Sequence, residues 1–322
     1  MERRARVKAY AKINLDLHVL NRRPDGYHEL RTVYQTISLA DDLEISFRTA
    51  RQSRITADCD LEIPDNLVVR AAELALEAMR VRGEVWMRLR KRIPMGAGLG
   101  GGSSDAAAVL LALPILANRP IALEKMIELA CCLGSDVPFF LLGGTALGVG
   151  RGEEVYPLPD LGRARGLLVA PELHISTAEA YQALGRGLTL AAPENIISSF
   201  QSCIWHRSVG TPGSGGTPWG SNDFEAAVFA RHPRLRRLKR KLARLGAEPA
   251  QMTGSGSALY GIFHTKEDLE TAFTRFRRER IFPFEFLSRA AYHARWRRCL
   301  REFASEEGWP PRSRQARQGT TS

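Results

Sequence analysis

Pro94-Met-Gly-Ala-Gly-Leu-Gly-Gly-Gly-Ser-Ser-Asp-Ala-Ala-Ala108 is the stretch that decides the fold. Upstream, Val85-Trp-Met-Arg-Leu-Arg90 alternates as a strand does; downstream, Ala106 to Leu113 consists of good helix formers, with Ser103, Ser104 and Asp105 as candidate N-caps. Strand, glycine loop and helix therefore follow one another. Five glycines between Gly96 and Gly102 let the backbone pass very close to a ligand. Amides left unpaired at the start of the helix would face that ligand, and the helix dipole favours negative charge there. A polyphosphate fits such a place.

Related loops are separated by spacing. No Gly-Lys-Ser/Thr follows, so this is not a Walker loop. Gly96, Gly98 and Gly101 satisfy G-x-G-x-x-G, a weak match in so glycine-rich a run. A dinucleotide fold wants an inner strand buried on both faces, whereas Arg88, Arg90, Lys91 and Arg92 suggest one wet face here. The remaining alternative, a flexible linker, conflicts with the apolar flanks and the serine caps.

A chain of 322 residues with 44% hydrophobic content buries a sizeable core and suggests two domains. No apolar run is long enough to span a membrane, and Met1-Glu-Arg-Arg-Ala-Arg-Val7 lacks the apolar segment of a signal peptide. Five cysteines without a CxxC or metal spacing suggest reduced thiols and a cytoplasmic setting. The net charge of +11 is concentrated late, since Arg231 to Arg244 holds eight basic residues and no acid. Nucleic-acid binding is one reading of the basic 231–301 region, but no aromatic-basic or zinc motif accompanies it; a solvated arginine-rich helix face is the other.

Along the chain, residues 6–20 alternate: Val7, Ala9, Ala11, Ile13, Leu15, Leu17 and Val19 on one face, Lys8, Tyr10, Lys12, Asn14, Asp16 and His18 on the other. This predicts a long, half-buried strand. Asn21 to Gly26 predicts a hairpin turn, with Tyr27-His28 just past it, and Leu43 to Phe47 alternates again. Helices are predicted over Leu67–Met79 after Pro64-Asp65-Asn66, over Leu123–Leu133, and shortly over Phe139–Leu142 after Pro138. Gly143 to Glu154 predicts a glycine-rich hairpin. A second domain starts near Leu161, with a strand at Leu167–Ala170 and helices at Thr177–Leu184, Asp223–Ala230, Leu235–Leu245 and Lys266–Arg280. Thr253-Gly-Ser-Gly-Ser257 enters a strand, Ala258–Phe263; residues 207–220 read as a loop, and Trp309 onward as a frayed tail. The expected domains are 1–160 and 161–300, with 301–322 poorly ordered.

Phosphoryl transfer needs positioning and electrostatic stabilisation, and a carboxylate often orients the attacking hydroxyl. The parts are present: an amide cradle at 94–104, a cation at Lys12 and a carboxylate at Asp136. On spacing alone, Asp136 after Gly134-Ser135 reads more readily as a helix cap.

Pro94 to Ala108 closely resembles the phosphate-binding motif of the GHMP kinases. Ala11-Lys-Ile-Asn-Leu15, Pro24-Asp-Gly-Tyr-His-Glu29, Gly134-Ser-Asp-Val-Pro138, Asn222-Asp-Phe-Glu225 and Met252-Thr-Gly-Ser-Gly-Ser257 follow the order of one branch. That branch phosphorylates the 2-hydroxyl of 4-diphosphocytidyl-2-C-methyl-D-erythritol in non-mevalonate isoprenoid precursor biosynthesis. The resemblance runs from about residue 7 to 300. It implies a two-domain α+β fold with the glycine-rich loop between strand and helix, and a left-handed βαβ crossover. It further implies ATP as donor, with Mg2+ expected. Asp136 matches the catalytic aspartate and Lys12 the lysine that orients it. Pro94, Met95, Gly96, Ala97, Gly98, Leu99, Gly100, Gly101, Gly102, Ser103 and Ser104 match the nucleotide loop, with Asn66 near the adenine. Asn14, Thr177 and Tyr181 match substrate positions.

The residues themselves agree about the acceptor. Tyr27 offers a ring to stack on a cytosine and His28 a hydrogen bond to its edge, with Tyr181 as an opposite ring; the alternative is that both tyrosines are half-buried core aromatics. Ala97 replaces a glycine of some members, segment 201–220 matches poorly, and no magnesium ligand set is readable. The expected partner is a small cytidine-diphosphate sugar alcohol, with no specific nucleic acid and no membrane, in a monomer or homodimer. A mevalonate, phosphomevalonate or homoserine kinase, or a catalytically silent ligand sensor, are the competing readings.

Overall fold

The computed structural model describes residues 2–63, 65–173, 175–184, 220–305 and 308–313. The chain opens with a hairpin of two long strands, β1 (Arg3–Arg22) and β2 (His28–Thr49). β3 (Arg54–Cys59), helix α1 (Leu67–Met79) and β4 (Gly83–Arg90) follow, and β3 and β4 pair in parallel across the helix between them. Helix α2 (Gly101–Ala117) leaves the glycine loop, then come α3 (Leu123–Leu133), α4 (Val137–Leu142) and the hairpin β5 (Thr145–Val149) to β6 (Glu154–Pro157). These strands make a six-stranded sheet in the order β3-β4-β2-β5-β6, with β1 on β2.

The later half contributes β7 (Arg165–Val169), α5 (Thr177–Leu184), α6 (Phe224–Arg231), α7 (Pro233–Arg244), β8 (Ala250–Met252), β9 (Leu259–Phe263), α8 (Lys266–Arg275) and β10 (Ile281–Glu285). Its strands form a four-stranded antiparallel sheet, β10-β7-β9-β8. A last helix, α9 (Arg289–Cys299), returns to the first sheet, where Tyr292, Trp296 and Leu300 enter the same core as α1 to α4.

The mixed α+β fold expected from the sequence is present, and the physical reasons are local. From Ser104 to Leu116 α2 is buried all round, as its lack of any polar face requires. Asn66 caps α1 by accepting from Val68 N (3.2 Å), and Asn118 closes α2 in the left-handed region. The small sheet is covered on both faces: Leu167, Val169 and Leu259 face the helices α5 to α8, while Leu168, Tyr260 and Ile262 face the other way onto Ile13 and Leu15.

β1 is longer than predicted and more deeply buried. From Ala9 to Leu17 both faces are covered, so Tyr10, Lys12, Asn14 and Asp16 are not a solvated stripe. The strand passes through three cores in turn: Val7 and Ala9 in the first, Ala11 to Leu15 between the sheets, Leu17 and Val19 in the third. α2 begins at Gly101, five residues earlier than expected, with Gly100 at the cap. Ser103, Ser104 and Asp105 therefore lie inside its first turns and do not cap it. Lys91 likewise leaves the wet face of β4: its Nζ sits between Asp41 Oδ2 (2.5 Å) and Asp105 Oδ2 (2.6 Å).

The arginine-rich segment is the amphipathic helix α7, burying Leu235, Leu238 and Leu242 and turning its arginines outward. Trp309, expected to open a frayed tail, stacks on His293 (ring centroids 3.7 Å) and donates to Leu141 O (2.7 Å). The 207–219 part of the predicted loop and residues 314–322 lie outside the described residues. Among the described residues no helix is long and apolar enough to cross a membrane.

Candidate active site

Two glycine turns meet back to back beneath the site. Gly98 has φ +79°, and a Cβ on it would stand 2.3 Å from Thr253 O; a Cβ on Gly254 would come within 2.9 Å of the Gly98 Cα. Only glycine allows this approach. Entry to the loop is fixed by Asp41, whose Oδ1 accepts from Arg92 N (2.5 Å) and Ile93 N (2.8 Å). Its exit is fixed by Ser104, whose buried Oγ donates to Tyr10 O (2.7 Å). Asp105, enclosed beside Lys91, has its carboxyl pKa pushed up to about 7 by burial, which outweighs the lysine.

The first helical bond of α2 runs from Ser104 N to Gly100 O (2.8 Å), so the amides of Gly101 to Ser103 are left for an outside acceptor. No acidic side chain lies in that turn. An anion at this end meets backbone donors and the positive end of a helix dipole.

Lys12 lies beside this helix start. Its ammonium, 4% exposed, stands 3.5 Å from Asp136 Oδ2, donates to Asn14 Oδ1 (2.7 Å), and lies 5.2 Å from the ring centroid of Tyr34. Asp136 sits at the cap position of α4 but makes no cap hydrogen bond. Its Oδ1 accepts instead from the Tyr34 hydroxyl (3.0 Å). Burial and the neighbouring Asp136 charge raise the Tyr34 pKa well above its usual value, so that hydroxyl remains a donor.

Asn14 is a junction. Its Oδ1 accepts from Lys12, from Thr253 Oγ1 (3.2 Å) and from Gly254 N (3.0 Å), while its Nδ2 donates to Thr32 Oγ1 (2.7 Å). It thus fixes the lysine from one sheet and the glycine turn from the other.

A cavity of about 680 Å³ opens above these groups. Lys12, Asn14, Asp136, Gly98, Gly100 and Ser103 line it together with Tyr27, His28, Thr177 and Tyr181. There His28 stacks on Tyr181 (ring centroids 4.6 Å, 17° between planes), and Thr177 Oγ1 lies 3.3 Å from Ser255 Oγ. Burial, and secondarily Arg22, lowers the His28 pKa, which keeps the imidazole neutral near pH 7. Burial raises the Tyr181 pKa to about 12. Tyr27 stands 57% exposed with the Arg151 guanidinium 5.0 Å from its ring centroid.

Other expected residues fall elsewhere. Leu99 and Ala97 point into the core between the sheets, Pro94 is buried, and Met95 and Gly96 are exposed outside the cavity lining. Gly101, Gly102, Ser104 and Asn66 do not line the cavity either. The sequence reading missed Tyr34, Thr253 as a partner of Asn14, and Arg151.

No cluster of three or more metal-ligating side chains occurs among the described residues. Magnesium carried by a nucleotide needs few protein ligands, keeping waters and phosphate oxygens for the rest. The Ser103 hydroxyl, lining the cavity at the start of α2, fits that modest demand.

Residues 66–144 match the GHMP kinases N terminal domain and residues 208–280 the GHMP kinases C terminal domain. The chain is 52% identical over 316 residues to the 4-diphosphocytidyl-2-C-methyl-D-erythritol kinase of Solibacter usitatus, covering 97% of this chain and 98% of that one. It is 42% identical over 277 residues to the protein of that name from Pelotomaculum thermopropionicum, covering 84% and 93%. A crystal structure of 4-(cytidine 5'-diphospho)-2C-methyl-D-erythritol kinase superimposes with a TM-score of 0.72 at 36% identity, over 89% of this chain and 99% of that one. Homoserine kinase from Cytophaga hutchinsonii superimposes at 0.69 with 17% identity, over 88% and 95%, a likeness of fold alone.

Proposed function

Because the chain belongs to the 4-diphosphocytidyl-2-C-methyl-D-erythritol kinases, within the GHMP kinases, we propose that it transfers the terminal phosphoryl of ATP to the 2-hydroxyl of that cytidine-diphosphate sugar alcohol. The chain is an ATP-dependent small-molecule kinase of isoprenoid precursor biosynthesis. The observation that carries the residue assignments is Asp136, ion-paired with Lys12 and hydrogen-bonded by Tyr34, in one cavity with the start of α2 and the rings of Tyr27, His28 and Tyr181.

In this reading the amides at the start of α2 and the glycine loop hold the donor phosphates. The Asp136 carboxylate, steered by Tyr34, accepts the hydrogen bond of the acceptor hydroxyl and takes its proton as the phosphoryl moves. Lys12 balances charge on the transferring group from a position set by Asn14. Mg2+ bound with the nucleotide, held largely by phosphate oxygens and water with the Ser103 hydroxyl as its protein oxygen, would neutralise phosphate charge. His28, neutral at working pH, can both donate to and accept from a cytosine edge, and Thr177 contacts the substrate. The free thiols of Cys59, Cys131, Cys132 and Cys299 suit a reducing cytoplasm.

Mevalonate and homoserine have no base for Tyr27, His28 and Tyr181, which favours the cytidyl acceptor over those of the wider superfamily. The test is turnover with ATP and magnesium on the cytidyl substrate, mevalonate and homoserine in parallel. Phosphorylation confined to the cytidyl substrate is expected; comparable rates on mevalonate would overturn the acceptor assignment.

A further inference from the structure

The turn between β5 and β6 brings a guanidinium to the cavity that the catalytic set does not use. Arg151 lines the cavity beside Tyr27. Its backbone is pinned: Gly150 N donates to Glu29 Oε1 (3.1 Å), Leu30 N to Gly150 O (2.6 Å) and Arg151 N to Glu153 Oε2 (2.6 Å). Its Nε donates to Glu153 Oε1 (3.0 Å), and its two terminal nitrogens have no hydrogen-bond partner among the described residues. One residue further, Gly152 O lies 3.4 Å from the Tyr34 hydroxyl that donates to Asp136. The Arg151 guanidinium thus lies on the cavity wall beside Tyr27, and the backbone that follows it passes the hydroxyl bound to Asp136.

The acceptor read above has its base at one end, its reacting hydroxyl at the other and a diphosphate between them. That bridge is anionic, and a cation on the cavity wall would stabilise it. Lys12 is committed to Asp136 and Asn14. Burial disfavours a charge on His28. We propose that Arg151 binds the diphosphate bridge of the acceptor through its terminal guanidinium nitrogens, and so fixes the length of acceptor that reaches Asp136. A planar fork of donors matches phosphate oxygens in pairs, which a lysine at the same place does not. Glu153 holds the Nε edge and leaves the terminal nitrogens for another acceptor. The inference rests on the cytidyl acceptor proposed above, and it concerns the acceptor's phosphates, not those of ATP.

The full-length protein, saturated with a non-hydrolysable ATP analogue, is titrated with cytidine and with cytidine 5'-diphosphate. For Arg151→Ala, affinity for the diphosphate is expected to fall about tenfold or more, the usual scale for a charged hydrogen bond. Cytidine should bind within about twofold of wild type, since no phosphate is lost to it. Arg151→Lys should recover part of the loss, and the affinity for the ATP analogue alone should not move. Equal weakening of cytidine and its diphosphate, or a weakened ATP analogue, would overturn the assignment. An unfolded variant is recognised by its melting curve, and Arg151→Lys then decides by the same comparison. If wild type binds neither cytidine ligand, the acceptor reading itself fails and this inference with it.

Discussion

Asp136→Asn is expected to give a folded protein that binds ATP and scarcely turns over. The substitution keeps the shape of the side chain, and its Oδ1 can still accept from Tyr34, now 3.0 Å away. What is lost is the charge facing Lys12 at 3.5 Å. The gross attraction at that distance is roughly 5 kcal/mol at an effective dielectric of about 20. Much of it is already offset by desolvation, since the Asp136 side chain is 29% exposed and Lys12 keeps the Asn14 oxygen at 2.7 Å. The net cost falls below the roughly 3–5 kcal/mol of a fully buried broken pair, at about 1–2 kcal/mol, or a melting point lower by several degrees. The amide cannot take a proton, and general-base assistance is typically worth roughly 10²–10⁴ in rate. Calorimetry, nucleotide titration and steady-state turnover together read the three quantities. Turnover within about tenfold of wild type would refute the role, as would activity that falls only in step with the folded fraction.

Tyr34→Phe should keep the fold and the KM for ATP while lowering kcat by about tenfold, because one hydrogen bond to a charged carboxylate disappears; an unchanged kcat would make Tyr34 a packing residue. Gly98→Ala should weaken ATP binding and lower the melting point together, since the left-handed backbone alone costs about 1–2 kcal/mol and the added Cβ meets Thr253 O; a wild-type nucleotide titration would contradict it. His18 bridges Asp16 (2.9 Å) and Asp223 (3.2 Å), which raise its pKa from 6.5 to about 9. Its contribution to stability is therefore complete below pH 6.5 and lost as pH rises through 9, and His18→Gln should flatten the melting-point profile in that window.

The sequence made the phosphate loop, the lysine and the carboxylate legible because each lies in a local pattern: glycine spacing, strand alternation, a turn after a helix. Tyr34 was not legible, and the reason is register. Carried on without interruption, the Arg22–His28 pairing of the hairpin would set Thr36 opposite Asn14; the irregularities along the ladder bring Tyr34 there instead. Lys91 looked like one more exposed cation of β4, but its partners Asp41 and Asp105 are 50 and 14 residues away. The capping role of Asn66 is legible from its place ahead of an apolar helix, where its side chain accepts from an orphan amide of α1. Helix α9 gave no signal because it has little apolar periodicity; the large buried rings of Tyr292 and Trp296 fix it to the core.

The depth of β1 follows from what the site requires. In the reading proposed above, donor phosphates and acceptor hydroxyl must lie in one line, and residues from both sheets line the cavity that would hold them. The donor loop belongs to the first sheet and its helices, while Thr253, Gly254 and Ser255 leave the second. β1 crosses both, and Asn14 on it bonds Lys12 on one side and Gly254 N on the other. The contact between Gly98 and Gly254 closes the same junction. Ser255, next along, reaches Thr177 at the acceptor end. A displacement of the second sheet would thus move the support of the catalytic lysine and the acceptor wall together. Burying Asn14 is costly unless every polar atom is paired, and its side chain has both atoms paired here. That cost is consistent with a residue kept to hold two halves of a site in register, where an apolar side chain would pack as well and position nothing.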